Sequence, residues 1–229
     1  MASNYTAKYN VDIVMCIDVT QSMDYLLDTV KKNALNFYGD LVEVMEKKDK
    51  HVDQLRIRII AFRDYIADRE NAMLATRFYS LPQEAEQFSS LINSLEPSGG
   101  GDEPEDGLEA LAYAMGSDWT KEGDRRRHII VVWSDSATHE LGFGKMAGNY
   151  PGKMAADFEE LTEWWGDIPT PAAKMNYNSK RLLIFAPEEK YWSTIYESWD
   201  NVVLFPSEAG HGLEGLQYNQ ILDEIRNSV

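Results

Sequence analysis

Short apolar segments rich in β-branched residues alternate with longer amphipathic segments along almost the whole chain, and this alternation constrains the fold most strongly. The pattern predicts five central strands and one short edge strand, at residues 11–17, 55–62, 77–81, 128–134, 181–186 and 202–205. Helices are predicted between and after them, at residues 22–47, 82–95, 104–115, 154–165, 188–199 and 213–229. Strands that alternate with helices connect through right-handed crossovers. We therefore expect an α/β fold, a doubly wound, mostly parallel sheet with helices on both faces.

The composition limits the cellular compartment and the classes of binding partner that we expect for this protein. The chain has 229 residues with 22 basic and 38 acidic side chains, a net charge of −16, which disfavours nucleic acid and anionic membrane surfaces as partners. No segment approaches the roughly 18 apolar residues of a membrane span, and the first residues do not resemble a signal peptide. The single cysteine, Cys16, excludes an intrachain disulfide and is expected to be a small buried side chain. We expect one cytoplasmic domain over residues 1–229.

Three polar loops, two of which directly follow predicted strands, have the residue types of a cation site. Asp18, Thr20 and Ser22 follow the first strand, and Asp135 follows the strand at 128–134. Between these two loops in the chain lies segment 99–106, in which three glycines are followed by four carboxylates within five residues. Four carboxylates so close together would repel one another unless something neutralises their charge. In open α/β sheets ligands bind beyond the carboxyl ends of the strands. Oxygen ligands gathered there predict a site for a hard cation such as Mg²⁺.

Each of these residues also has an ordinary structural interpretation. Asp18 fits a turn, and Ser22 fits the N-cap of the following helix. Glu105 and Asp106 fit the N-terminus of the helix predicted at 104–115, where negative charge is favoured. His139 either lines the rim of the cation site or is a solvated loop histidine. The sequence leaves these alternatives open.

The three loops together resemble the von Willebrand factor A-type (VWA) domain, a Rossmann-like fold with a metal-ion-dependent adhesion site (MIDAS). The segment from Asp18 through Thr20 to Ser22 is similar to the family's Asp-x-Ser-x-Ser motif, and Asp135 is similar to its third-loop aspartate. Segment 99–107 resembles the Gly-x-x-Asp-x-Pro-Glu-x-Gly loop of integrin β subunits. By that match Glu105 is the ligand from the middle loop. The resemblance implies one Mg²⁺, or Mn²⁺, held by these five residues.

The integrin β resemblance also implies a second cation, with Ca²⁺ as the candidate. Its ligands would be Asp64, Asp102, the carbonyl of Pro104, and Glu105. The asparagine of the integrin set falls on Gly100, so one ligand is missing. A third integrin β site needs paired acids where this chain has tyrosine and leucine at 25–26, and it is expected to be absent.

The resemblance implies a protein-binding module without enzymatic activity. In that family the bound Mg²⁺ keeps an open position, which an acidic side chain of the protein partner completes. One alternative is a Mg²⁺-dependent phosphohydrolase with Asp18 as nucleophile, but Thr20 stands where a second acid is needed and no basic residue adjoins Asp135. The other alternative is a scaffold whose metal site is vestigial.

Overall fold

The computed structural model describes residues 8–47, 51–101 and 103–207. The strands are β1 (Lys8–Asp18), β2 (His51–Phe62), β3 (Met73–Ala75), β4 (Tyr79–Leu81), β5 (Arg125–Trp133), β6 (Lys180–Pro187) and β7 (Val202–Ser207). The α-helices are α1 (Asp24–Glu46), α2 (Ala85–Ser94), α3 (Gly107–Met115), α4 (Phe158–Trp165) and α5 (Lys190–Ser198). The helix predicted at 213–229 lies outside the described ranges. None of the helices in those ranges has the length and apolar character needed to cross a membrane.

The strands form one mixed, mostly parallel sheet. Within the described ranges the order is β3-β2-β1-β5-β6-β7, with β4 also paired to β2. The five long strands run parallel, whereas β3 and β4 pair antiparallel with β2. The predicted α/β class and mostly parallel sheet are confirmed. Strand β3 was not predicted from the sequence, because three residues are too few to show a period.

Two apolar layers cover the sheet, and β1 contributes to both. Ile13 and Met15 belong to the core that includes α1 and α2, and Val14 and Cys16 belong to the core that includes α3, α4 and α5. Successive side chains of a strand point to opposite faces, so a strand covered on both sides is largely apolar. The exception within residues 11–17 is Asp12, whose buried carboxylate pairs with Arg56. Burial raises the pKa of the Cys16 thiol, as expected for a cysteine in the core.

The starts of α3 and α4 lie later in the chain than predicted. Glu105 forms a parallel β-bridge with Thr138, and this extended backbone delays α3 until Gly107 instead of residue 104. Helix α4 begins at Phe158 instead of residue 154, because the side chain of Asp157 caps it by accepting a hydrogen bond from the Glu160 amide. Strand β5 begins at Arg125, three residues before the predicted start at residue 128.

The strand order reverses between β1 and β5, which lie side by side at the centre of the sheet. From β1 the chain crosses first to β2 on one side and later to β5 on the other. Ile17 pairs with Trp133, so these two strands end at the same level. In open α/β sheets such a reversal separates the flanking loops and creates the crevice where ligands bind. The loops after β1 and β5 therefore begin at this crevice.

Candidate metal site at the carboxyl ends of β1 and β5

The loop after β1 is organised around the carboxylate of Asp18, which is fully buried. Oδ1 of Asp18 accepts hydrogen bonds from the Thr20 amide at 3.0 Å and the Thr20 hydroxyl at 2.6 Å. Oδ2 accepts a hydrogen bond from the Ser134 hydroxyl at 2.7 Å, so Asp18 joins the loops after β1 and β5. Both oxygens of Asp18 are thus engaged by hydroxyl or amide donors.

Ser22 belongs to this site instead of capping a helix. It lies in a short 3-10 turn, and α1 begins two residues later at Asp24. Its hydroxyl donates a hydrogen bond to Oδ1 of Asp135 at 3.0 Å. The interpretation of Ser22 as an N-cap is therefore wrong, because its hydroxyl points across the crevice to the loop after β5.

The hydroxyl oxygens of Thr20 and Ser22 lie 3.1 Å apart. Each hydroxyl has a single hydrogen, and the carboxylates of Asp18 and Asp135 accept both of them. The two oxygens are also close enough to share a hydrogen bond, in which either can be the donor. An octahedral Mg²⁺ with bonds of about 2.0–2.1 Å places neighbouring ligands about 2.9 Å apart, so this spacing suits two ligands of one cation.

Glu105 faces the same loop from the other side of the crevice. It is only 3% exposed, and its Oε2 has no hydrogen-bond partner in the part of the chain that the structure describes. A Cβ built on Gly100 would lie 2.9 Å from both Oε1 of Glu105 and Cβ of Thr20, which places those two groups close together. The backbone of Glu105 is paired with the loop after β5, since its amide donates to the Ala137 carbonyl and its carbonyl accepts from the His139 amide.

Asp135 supplies a second buried oxygen that lacks a donor. The residue is 2% exposed, and its Oδ2 has no hydrogen-bond partner among the described residues. A buried carboxylate oxygen without a donor is costly, and a cation would satisfy it. The five side chains present only oxygen atoms, the donors that Mg²⁺ prefers. Their chemistry therefore fits a hard dication.

Burial keeps these acids from ionising easily. It raises the pKa of Glu105 to about 9, and the charges of Asp18 and Asp64 act in the same direction. Burial also raises the pKa of Asp18 to about 6, although the hydrogen bonds from Thr20 and Ser134 oppose it. The pKa of Asp135 is raised by burial as well. Without a cation the site therefore holds a proton on Glu105 at neutral pH.

Asp64, the first of the residues predicted to bind a second cation, contacts a backbone amide and an imidazole. Its Oδ1 accepts a hydrogen bond from the Ala67 amide at 2.5 Å, and its Oδ2 lies 3.4 Å from Nδ1 of His139. Pro104 is partly exposed, and Asp102 lies outside the described residues. A side chain at position 100 would collide with Glu105 and Thr20, and Gly100 has a φ of +75°. The asparagine side chain of the integrin set would therefore not fit at position 100.

Sequence reasoning missed the partnership of Asp106 and His139. His139 is 6% exposed, so it is not a solvated loop residue, and its Nδ1 lies 3.2 Å from Oδ1 of the fully buried Asp106. Asp106 does lie at the N-terminus of α3, where it is the N-cap residue, but its side chain makes no capping hydrogen bond. The separation of 33 positions between Asp106 and His139 carries no local pattern. The bridge between Glu105 and Thr138 brings them together, and short sequence patterns do not predict such a bridge.

The chain resembles known proteins in structure but not in sequence families. No family model matches the sequence, and no curated protein matches it significantly. Among solved structures, the chain is similar to the pilus adhesin SpaC from Lactobacillus rhamnosus GG in its open conformation, at 13% identity and a TM-score of 0.42. It is also similar to the vWF domain of the type V pili tip protein Mfa5 from Porphyromonas gingivalis, at 21% identity and a TM-score of 0.38. These alignments cover 60% and 59% of this chain, and 16% and 40% of the two structures.

Proposed function

We propose that the chain is a VWA-type, divalent-metal-dependent protein-binding module. Thr20, Ser22 and Glu105 would hold Mg²⁺ or Mn²⁺, with Asp18 and Asp135 binding directly or through water. The observation that carries this proposal is a pair of hydroxyl oxygens 3.1 Å apart, on a loop flanked by two buried carboxylates that each have one oxygen without a donor among the described residues. A dication beside the two hydroxyls would bind them and would compensate the buried carboxylates.

One side of the site is open to a protein partner, and the ligand preference of Mg²⁺ favours an acidic side chain from it. Asp18, Glu105 and Asp135 are buried, whereas Ser22 is exposed, so a partner would approach the cation past Ser22. Mg²⁺ takes six oxygen ligands and usually keeps several waters, which a carboxylate can replace. An aspartate or glutamate of the partner would be such a ligand.

Two features favour binding over phosphoryl hydrolysis. Both oxygens of Asp18 accept hydrogen bonds, which makes it a poor nucleophile. Arg63, the basic side chain whose charge reaches Asp18 and Glu105, donates to the backbone carbonyls of Val19, Asn71, Glu96 and Ser98. Its guanidinium therefore holds loops together instead of facing a phosphate.

Metal binding itself is the first test. Mg²⁺ at about 100 times its dissociation constant should raise the free energy of unfolding by about 2.7 kcal/mol, because only the folded loops bind it. Replacing the hydroxyl ligand in Ser22→Ala should weaken binding about tenfold, or about 1.4 kcal/mol. Isothermal titration calorimetry and thermal unfolding measure both effects. Ser94→Ala, an exposed serine near the end of α2, is the matched control. Absence of Mg²⁺ and Mn²⁺ binding at millimolar concentrations would leave the vestigial scaffold as the better description.

Partner binding is the second test. The full chain should capture its protein partner in Mg²⁺ and release it in chelator, with Ser94→Ala behaving like the native chain and Ser22→Ala capturing little. Replacing single acidic residues of the captured partner should identify the one that binds the metal. Equal capture in Mg²⁺ and in chelator would show that the interaction does not use this site.

A further inference from the structure

We propose a second metal site, formed by Asp64, Asp106 and His139 and suited to a borderline transition-metal dication such as Zn²⁺. It is distinct from the Mg²⁺ site in its ligand chemistry and does not depend on the proposed function. All three side chains are buried, and one ligand atom from each lies within 4.8 Å of the other two.

The distances match a tetrahedral metal centre. Nδ1 of His139 lies 3.2 Å from Oδ1 of Asp106 and 3.4 Å from Oδ2 of Asp64. Zinc bonds of about 2.0–2.1 Å to nitrogen and oxygen place neighbouring ligands of a tetrahedron about 3.3 Å apart. The oxygens of Asp64 and Asp106 lie within 4.8 Å of each other, so a metal ion could bind all three atoms after a small adjustment of the carboxylates.

Contacts outside the cluster orient each ligand. The second oxygen of Asp64 accepts from the Ala67 amide at 2.5 Å, and the second oxygen of Asp106 accepts from the Tyr65 amide at 2.6 Å. The ring of His139 stacks on Phe143, with centroids 4.0 Å apart. Supporting contacts of this kind commonly fix the direction of metal ligands.

An independent observation is the excess of buried acid beside the cluster. Glu109 lies one helical turn after Asp106 and is fully buried, and its Oε2 has no hydrogen-bond partner among the described residues. Asp64, Glu105, Asp106 and Glu109 are thus four buried carboxylates on neighbouring segments, two of which contact the imidazole of His139. Buried charges need compensation, and a dication supplies more of it than an imidazolium can.

The ligand types distinguish this site from the Mg²⁺ site. An imidazole nitrogen with two carboxylates suits Zn²⁺ or Co²⁺, whereas Mg²⁺ binds oxygen ligands almost exclusively. The candidate Mg²⁺ site offers hydroxyls and carboxylates alone. Zn²⁺ should therefore bind at His139 even when the first site is saturated with Mg²⁺.

The test is a titration of the full chain with Zn²⁺, and in parallel with Co²⁺, in excess Mg²⁺. We expect one Zn²⁺ per chain by calorimetry, and visible absorption of tetrahedral type from Co²⁺. His139→Gln should weaken Zn²⁺ binding at least 100-fold and abolish the Co²⁺ bands. His51→Gln, at the exposed start of β2, should change neither. Ser22→Ala should lose Mg²⁺ affinity but retain Zn²⁺ binding. The Mg²⁺ site and the Zn²⁺ site can therefore be tested independently of each other.

Two results would overturn the proposal. The first is that the native chain binds no stoichiometric Zn²⁺ in excess Mg²⁺. In that case His139 would only be hydrogen-bonded to the two carboxylates, without a metal. The second is a folded His139→Gln, or Asp64→Asn, that binds Zn²⁺ as the native chain does. Circular dichroism establishes folding, and if neither variant folds, the Co²⁺ spectrum of the native chain decides.

Discussion

The affinity for Mg²⁺ should rise about 100-fold between about pH 6 and about pH 8. Burial and neighbouring acids raise the pKa of Glu105 to about 9, so without a cation this carboxyl is protonated over that range. Mg²⁺ must displace the proton, and release of one proton changes the apparent affinity about tenfold per pH unit. Asp18 has a pKa of about 6, so it should make the Mg²⁺ affinity depend more steeply on pH only below about pH 6.

Calorimetry in buffers of different ionisation enthalpy measures both the affinity and the proton release. About one proton per Mg²⁺ is expected near neutral pH, where Glu105 is still protonated. Glu105→Gln should bind Mg²⁺ weakly and with little pH dependence in this range. An affinity of the native chain that is constant from about pH 6 to about pH 8 would contradict the assignment of Glu105 as a ligand.

The same raised pKa sets the sign of the stability change in metal-free protein. A carboxyl whose pKa is higher in the folded state than in the unfolded state favours folding at low pH. That contribution declines as pH rises from the unfolded value, near 4.5, through the folded value of about 9. Glu105→Gln should remove this part of the decline, which thermal unfolding in chelator would show.

Gly100→Ala should weaken Mg²⁺ binding by about 10–100-fold, the range found when residues that support metal ligands are changed. The added Cβ would lie 2.9 Å from both Oε1 of Glu105 and Cβ of Thr20. The φ of +75° at Gly100 also disfavours any side chain and should cost roughly 1–2 kcal/mol of folding free energy. The substitution thus displaces two ligand-bearing residues without removing a ligand.

Gly152→Ala is the matched control for this substitution. A Cβ at Gly152 would have nothing within 4 Å, and its φ is not in the left-handed region. Its Mg²⁺ affinity and melting temperature should equal those of the native chain. Equal Mg²⁺ affinity for Gly100→Ala and Gly152→Ala would show that Glu105 and Thr20 do not bind the ion together.

The sequence predicts the sheet well because each long strand carries its own signal. Residues 11–17 are apolar apart from Asp12, as expected for a strand covered on both faces, and β1 contains them. The end of that strand also predicts where Asp18 lies, and the end of β5 predicts where Asp135 lies. Positions fixed by a strand end can therefore be predicted from local pattern alone.

The parts that could not be predicted depend on contacts between distant loops. Ser22 has the residue type of a helix cap, yet its hydroxyl reaches Asp135, 113 positions away. Asp106 has the residue type of a helix N-terminus, yet it faces His139. In both cases a tertiary hydrogen bond outweighs the local preference of about 1 kcal/mol for a cap. A single sequence gives no information about such pairs.

The bridge between Glu105 and Thr138 has a practical consequence for redesign. The middle loop shares backbone hydrogen bonds with both of its neighbours, through Ser98 and Gly99 to the loop after β1 and through Glu105 to the loop after β5. The loop after β1 contacts the loop after β5 through the side chains of Asp18 and Ser22. Loop-exchange chimaeras should therefore fold only when the middle loop is transplanted together with both neighbours.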